Sequence, residues 1–163
     1  MGRHLGRLAR LPALFYDGEL TGVSRPSPAA DMAKLANEFV EFARESGHEL
    51  DYSEQSLRTV ERIIDSEFAD WRPWRRGRAK KASVPVASLV GAYVGEVMVR
   101  NLGGAWGWMP EYEVAAVQTP AGGWTSPPAK ARKRFINGKE DDLVFYYEVL
   151  KREWRRDEPT DVK

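Results

Sequence analysis

Ser83-Val84-Pro85-Val86-Ala87-Ser88-Leu89-Val90-Gly91-Ala92-Tyr93-Val94-Gly95-Glu96-Val97-Met98-Val99-Arg100-Asn101-Leu102-Gly103-Gly104 is the stretch on which the fold turns. From about 84 to 102 it is nearly all apolar apart from Ser88, Glu96, Arg100 and Asn101, which predicts a central helix buried on several sides. Ser83 and Pro85 suit its opening, and Gly103-Gly104 its close. Gly91 and Gly95 sit one turn apart on one face, and each costs about 1 kcal/mol relative to Ala inside a helix. Something must therefore approach the bare backbone. Close packing by another helix or by a sheet is the leading reading. The alternative is a ligand pocket beside Gly91, Gly95, Glu96, Trp106 and Trp108. Glu96 would serve as a general acid or base if burial raised its pKa, but Arg100 one turn on and Tyr93 one turn back supply a simpler local pairing.

Upstream, Met32, Leu35, Ala36, Phe39, Val40 and Ala43 recur at helical spacing and Gly47 follows, so a first helix is expected over about 28–46. Ser53 suits an N-cap, with Tyr52 stapled on Leu57, for a second helix carrying Leu57, Val60, Ile64 and Phe68 to about Ala69. Downstream, 105–109 and 113–118 read as strands, and Trp124–Ser126 completes a three-stranded antiparallel meander after the turn at 120–123. Pro127-Pro128 opens a short basic helix ended by Asn137-Gly138. A last helix from about Asp141 has Leu143, Tyr147, Leu150 and Trp154 as its inner stripe. The expected class is α+β: two N-terminal helices, a buried central helix, a small antiparallel sheet of about three strands, and C-terminal helices. The expected organisation is an irregular lead-in over 1–26, one domain over 27–156 and a frayed tail over 157–163.

The 163 residues suffice for one core without staples. A net charge of +1 marks neither a disordered chain nor a globally basic one. With no cysteine in the sequence, disulfides, thiolate nucleophiles and cysteine-type zinc sites are excluded, and a reducing bacterial cytoplasm is compatible. The Arg-, Ala- and Gly-rich composition suits a GC-rich genome. No apolar run approaches the roughly 18 residues of a bilayer span. The basic start lacks an apolar region long enough for a secretory signal, and Gly6 stands where a myristoylation signal wants Ser or Thr.

Charge is segregated locally. Residues 31–70 hold eleven acidic and four basic residues, a net of −7, and 71–81 hold six basic and none acidic. The latter stretch reads as a loop in which Trp71, Arg72, Trp74, Arg75, Arg76, Arg78, Lys80 and Lys81 interleave indoles with cations. Such a loop suits an acidic protein surface or, less well, a nucleic-acid backbone with stacked bases. It also suits simple neutralisation of the acidic helices beside it. Lys130, Lys133 and Arg134 form a second basic set on one helical face, where a solvated surface is the plain expectation. Asp141-Asp142 favour a helix N-terminus rather than a magnesium ion. His48, Glu49 and Asp51 are too crowded for a metal site, and neither metal nor cofactor is expected. No phosphate loop, dinucleotide fingerprint, nucleophile elbow or zinc-protease motif occurs.

The order Leu50-Asp51-x-Ser53 with Ser56-Leu57, then Gly91-x-Tyr93-x-Gly95 with Val97 and Val99, then Gly104-x-Trp106, then Gly138 and Tyr147, resembles small uncharacterised bacterial proteins, actinobacterial ones especially, over about 50–150. The resemblance implies a compact α+β domain of unknown function and supplies no catalytic residue. The long basic loop and Arg-rich start depart from that pattern. A non-catalytic interaction module of the adaptor or immunity-protein kind, binding an acidic partner, is the leading functional expectation. Nucleic-acid binding, and a ligand-binding domain or enzyme using the glycine-marked pocket, are the alternatives.

Overall fold

A computed structural model of the protein describes the backbone of residues 26–68 and 76–156, and the side chains within them other than those of 76–85 and 156. All of the expected lead-in over 1–26 except Pro26, and the tail over 157–163, lie outside the described residues. Helix α1 spans Ala29–Glu45, α2 Ser56–Glu67 and α3 Arg76–Leu102. Strands β1 (Ala105–Met109), β2 (Val114–Gln118) and β3 (Trp124–Thr125) follow, then α4 (Pro127–Asn137), a 3-10 turn (Gly138–Asp141) and α5 (Leu143–Arg156). The sheet order is β1-β2-β3, antiparallel throughout, with Trp106 opposite Val117 and Val117 opposite Thr125. The class is α+β, as the sequence predicts.

From Val86 to Met98, α3 is buried on all sides except at half-exposed Ser88, because the other elements pack around it. The α1 stripe of Met32, Leu35, Ala36, Phe39 and Ala43 faces it, and the Phe39 ring meets Tyr93 edge-on at 5.8 Å. A Cβ at Gly91 would lie 2.3 Å from the Pro128 Cα of α4, and one at Gly95 would lie 2.1 Å from the Trp106 ring of β1. Both glycines are therefore close-packing positions, one against a helix and one against the sheet. Gly103, at φ +78°, then turns the chain out of the helix. Among the described residues no helix is long and apolar enough to cross a membrane.

Two boundaries differ from expectation. Helix α3 begins at Arg76 rather than near 84, so Pro85 lies inside the helix and Ser83 does not open it. Arg, Ala and Lys on either side of Gly77 are good helix formers and extend the helix upstream past a proline that read as a start signal. Helix α2 begins one turn after Ser53: the Ser53 side chain and carbonyl oxygens both accept from the Ser56 N–H, each at 3.2 Å, which closes a turn before the helix proper. Tyr52 stacks on Tyr93 at 4.8 Å with Arg100 over its other face at 3.6 Å. Its positive φ of 61° is held because its N–H donates to the Tyr93 hydroxyl and its carbonyl accepts from Asn101, each at 2.9 Å. Tyr52 thus has its stacking and hydrogen-bonding partners on α3, 41 and 49 residues away in sequence, which a local staple reading has no means of seeing.

Gly91→Ala and Gly95→Ala each add about 1 kcal/mol of helix propensity and should nevertheless lower stability, by about 1–3 kcal/mol of overpacking strain. Gly91→Ala should cost more, since a backbone is less able to yield than an indole. Urea denaturation midpoints check this; an unchanged or raised midpoint for both variants would contradict the packing account.

Candidate functional site

Of the basic Trp/Arg set, Trp71, Arg72, Trp74 and Arg75 lie outside the described residues. Arg76, Arg78, Lys80 and Lys81 belong to the first turns of α3. The expected loop is thus, over 76–81, the start of the helix that becomes the core strut. At 1.5 Å of rise per residue, Lys81 lies about 9 Å along the axis from Ala87. Positions 80 and 81 precede 87 and 88 by one heptad, which puts the two pairs on one helical face.

That face leads to a groove of about 520 Å³. Ala87 and Ser88 of α3, Val114 and Ala115 of β2, and Pro128, Ala129, Arg132, Lys133 and Ile136 of α4 enclose it, with Ser126 at the strand-to-helix junction. Ala129, Arg132, Lys133 and Ile136 follow the i, i+3, i+4, i+7 rule of one helical stripe. All four are exposed, Ile136 by 39%. Neither Arg132 nor Lys133 forms an ion pair with a described residue.

The glycine-marked set is brought together, but as a packed joint. The Trp106 Nε1–H donates to Glu96 Oε1 at 2.9 Å, and the Arg100 Nε–H to Glu96 Oε2 at 3.2 Å. Glu96, 7% exposed, thus has both oxygens engaged. The expected Arg100 pair is present, and Trp106 is an additional partner. Trp108 donates to the Pro26 carbonyl at 2.8 Å. Pro128 and the Trp106 ring take up the space over Gly91 and Gly95 that a ligand would need.

The second basic set is corrected. Arg134 is 4% exposed, not solvated. Its Nε–H donates to Glu61 Oε2 at 2.9 Å, and its Nη2 donates to Asp65 at 2.8 Å. Glu61 Oε1 accepts the Leu143 N–H at 2.9 Å, capping the start of α5. Lys130 bridges to Asp141 at 2.6 Å, and only Lys133 of the three faces the groove. Burial of Arg134 has no signature on its own helix, because the partners that permit it lie about 70 residues away in sequence, on α2. The helix-terminal reading of Asp142 stands: its side chain accepts the Phe145 N–H at 2.7 Å.

Several carboxyl groups are held below their ordinary range. Lys151 does this for Glu54, against the opposing effect of burial and with help from the Tyr147 hydroxyl. Burial pushes Asp65 up, but Arg134 and Lys139 outweigh it. Lys130 and Asn137 lower Asp141. Burial, then Glu54, raises Tyr147, leaving its phenol a donor to that carboxylate.

Comparison with protein-family models, with curated proteins and with solved structures gave no match. The groove was missed from the sequence because its three walls come from segments spread over some 50 residues. The one legible signal was the Ala129-Arg132-Lys133-Ile136 stripe, hidden by grouping Lys133 with Lys130 and Arg134.

Two outcomes follow from the polar contacts. Arg134→Ala leaves Glu61 buried without its cation and should cost about 3–5 kcal/mol in chemical denaturation; a loss near zero would contradict the network. Carboxyls with lowered folded-state pKa contribute stability above the unfolded value, and lose it as pH falls through the folded one. Stability should therefore fall as pH drops below about 4, and Glu54→Gln should flatten part of that fall. An acid profile identical to wild type would remove Glu54 from the account.

Proposed function

We propose that the protein is a non-catalytic interaction module whose basic Trp/Arg segment, continuous with α3, engages an acidic surface on a partner protein. The observation that carries this reading is the charge matching within the fold. The acidic half of the chain has its own candidates for pairing with the cations of 72–81, and three of the most central, Glu54, Glu61 and Asp65, are already matched by Lys151, Arg134 and Lys139. These partners come from the C-terminal third. Neutralisation by these three carboxylates therefore does not account for the six cations. The helical backbone over 76–81 also supports the reading, since a binding residue on a rigid element loses less freedom on contact than one on a loop.

The nucleic-acid alternative is weakened by the same matching, because Lys130 and Arg134, two of the three cations that would extend its footprint, are spent on Asp141, Glu61 and Asp65. A ligand over Gly91 and Gly95 is disfavoured by the occupied space. The cysteine-free composition suits a reducing compartment, and a bacterial cytoplasm is the setting we propose.

Co-purification under native conditions tests the reading. A partner retained by the wild type should fall at least tenfold in recovery with Trp74→Ala combined with Arg75→Ala, and should survive nuclease treatment. Equal recovery by both proteins, or loss on nuclease treatment, would count against it.

A further inference from the structure

The groove between α3, α4 and β2 lies beside the basic segment and is unused by the packing described above. Its floor is apolar, formed by Ala87, Val114, Ala115 and Pro128, with Ile136 exposed at one end. Its cations, Arg132 and Lys133, are adjacent on α4 and form no direct ion pair with a described carboxylate, although Lys133 helps to lower Asp141 from a distance. Apolar surface of this depth, beside cations that face solvent, fits an apolar side chain flanked by carboxylates: the floor takes the anchor and the lip takes the charge. A volume of about 520 Å³ accommodates one or two large side chains rather than a whole helix.

We propose that this groove seats the apolar anchor of an acidic segment of the partner protein, with Arg132 and Lys133 fixing its register. The proposal rests on the reading that the partner is acidic, and it commits to a peptide segment because of the reach of the basic surface. Positions 80 and 81 lie one heptad upstream on the same face of α3 as Ala87 and Ser88, so basic positions stand about 10 Å beyond the groove as well as on its α4 lip, a separation longer than a small molecule spans. The chain's own lead-in, which sets Leu14 and Phe15 beside Asp17 and Glu19 but also carries Arg3, Arg7 and Arg10, is the rival occupant.

The test uses the full chain and a synthetic 14-residue peptide carrying Leu and Phe anchors among glutamates, with a lysine-for-glutamate version and decanoate as comparison probes. Amide NMR titration should shift Ser88, Val114, Ala129 and Ile136, and binding should weaken with added salt. Arg132→Glu with Lys133→Glu should weaken the acidic peptide at least tenfold, as should Ala129→Trp, which fills the groove from an exposed position. Retained thermal midpoints would show that both variants fold.

Loss of binding in these variants but not in the Trp74/Arg75 double variant would uphold the groove and sink the basic-segment reading. The reverse pattern would sink the groove and leave that reading standing. Equal binding of the lysine peptide, saturation by decanoate without peptide binding, or no saturable binding by the wild type would each overturn the proposal. So would groove shifts produced by deleting the lead-in 1–25 or the acidic tail 157–163 with no peptide present, which would assign the groove to the chain itself.

Discussion

The structure depends on an indole laid against a helix that has no side chain at the point of contact. Trp106 sits where a Cβ on Gly95 would be, and its Nε1–H reaches Glu96, the next residue of the same helix. One side chain thus supplies a large apolar contact and satisfies a buried carboxylate. Neither half is tolerable alone: an indole against an alanine would clash, and a buried Glu96 without the indole would keep one carboxylate oxygen without a donor. Arg100, on the same helix, completes the carboxylate's partners and reaches the Tyr52 ring, so the joint between α3 and β1 also anchors the segment before α2.

A second polar joint, Glu61 with Arg134, does for the outer helices what Glu96 does for the strut. It ties α2 to α4 through the guanidinium and to α5 through the Leu143 N–H. Buried ion pairs are often no more stable than apolar residues of equal volume. Their geometric demands are stricter, however, and this one is satisfied only when three helices hold one relative placement. Apolar packing around α3 supplies the driving force, while the Glu61 and Glu96 contacts select one arrangement from the several that packing would allow.

What was legible in the sequence follows from the range of the interaction responsible. The strands and the ends of α1, α4 and α5 are set by neighbours within a few residues, through alternation, Pro127-Pro128, Gly138 and Asp142, and these were readable. Gly91 and Gly95 were readable as close approaches because a helix-interior glycine is costly, but the identity of the approaching group was not. The start of α3 was missed because Pro85 signals a helix start as well as a tolerated interior residue. Arg134 was misplaced because a basic helix face looks solvated until the facing carboxylates are known. The groove was invisible for the same reason, with walls drawn from three separate segments.

The packing constraint and the proposed binding surface share their origin. Gly91 lets α4 come so close that Pro128 touches the backbone of α3. One turn upstream, at Ala87 and Ser88, the two helices instead leave an open groove toward Ala129 and Arg132. The pinch at Gly91 therefore sets the width of the groove beside it. A side chain at position 91 would push α4 outward and widen the groove along with the core, so the glycine that looks like a packing residue also governs the surface. On this view α3 has two parts: an apolar strut whose glycines bring the other elements in, and a basic extension that continues the same rigid axis past the groove. An acidic segment bound along it would meet a surface already held in place by the core, with little left to order on contact.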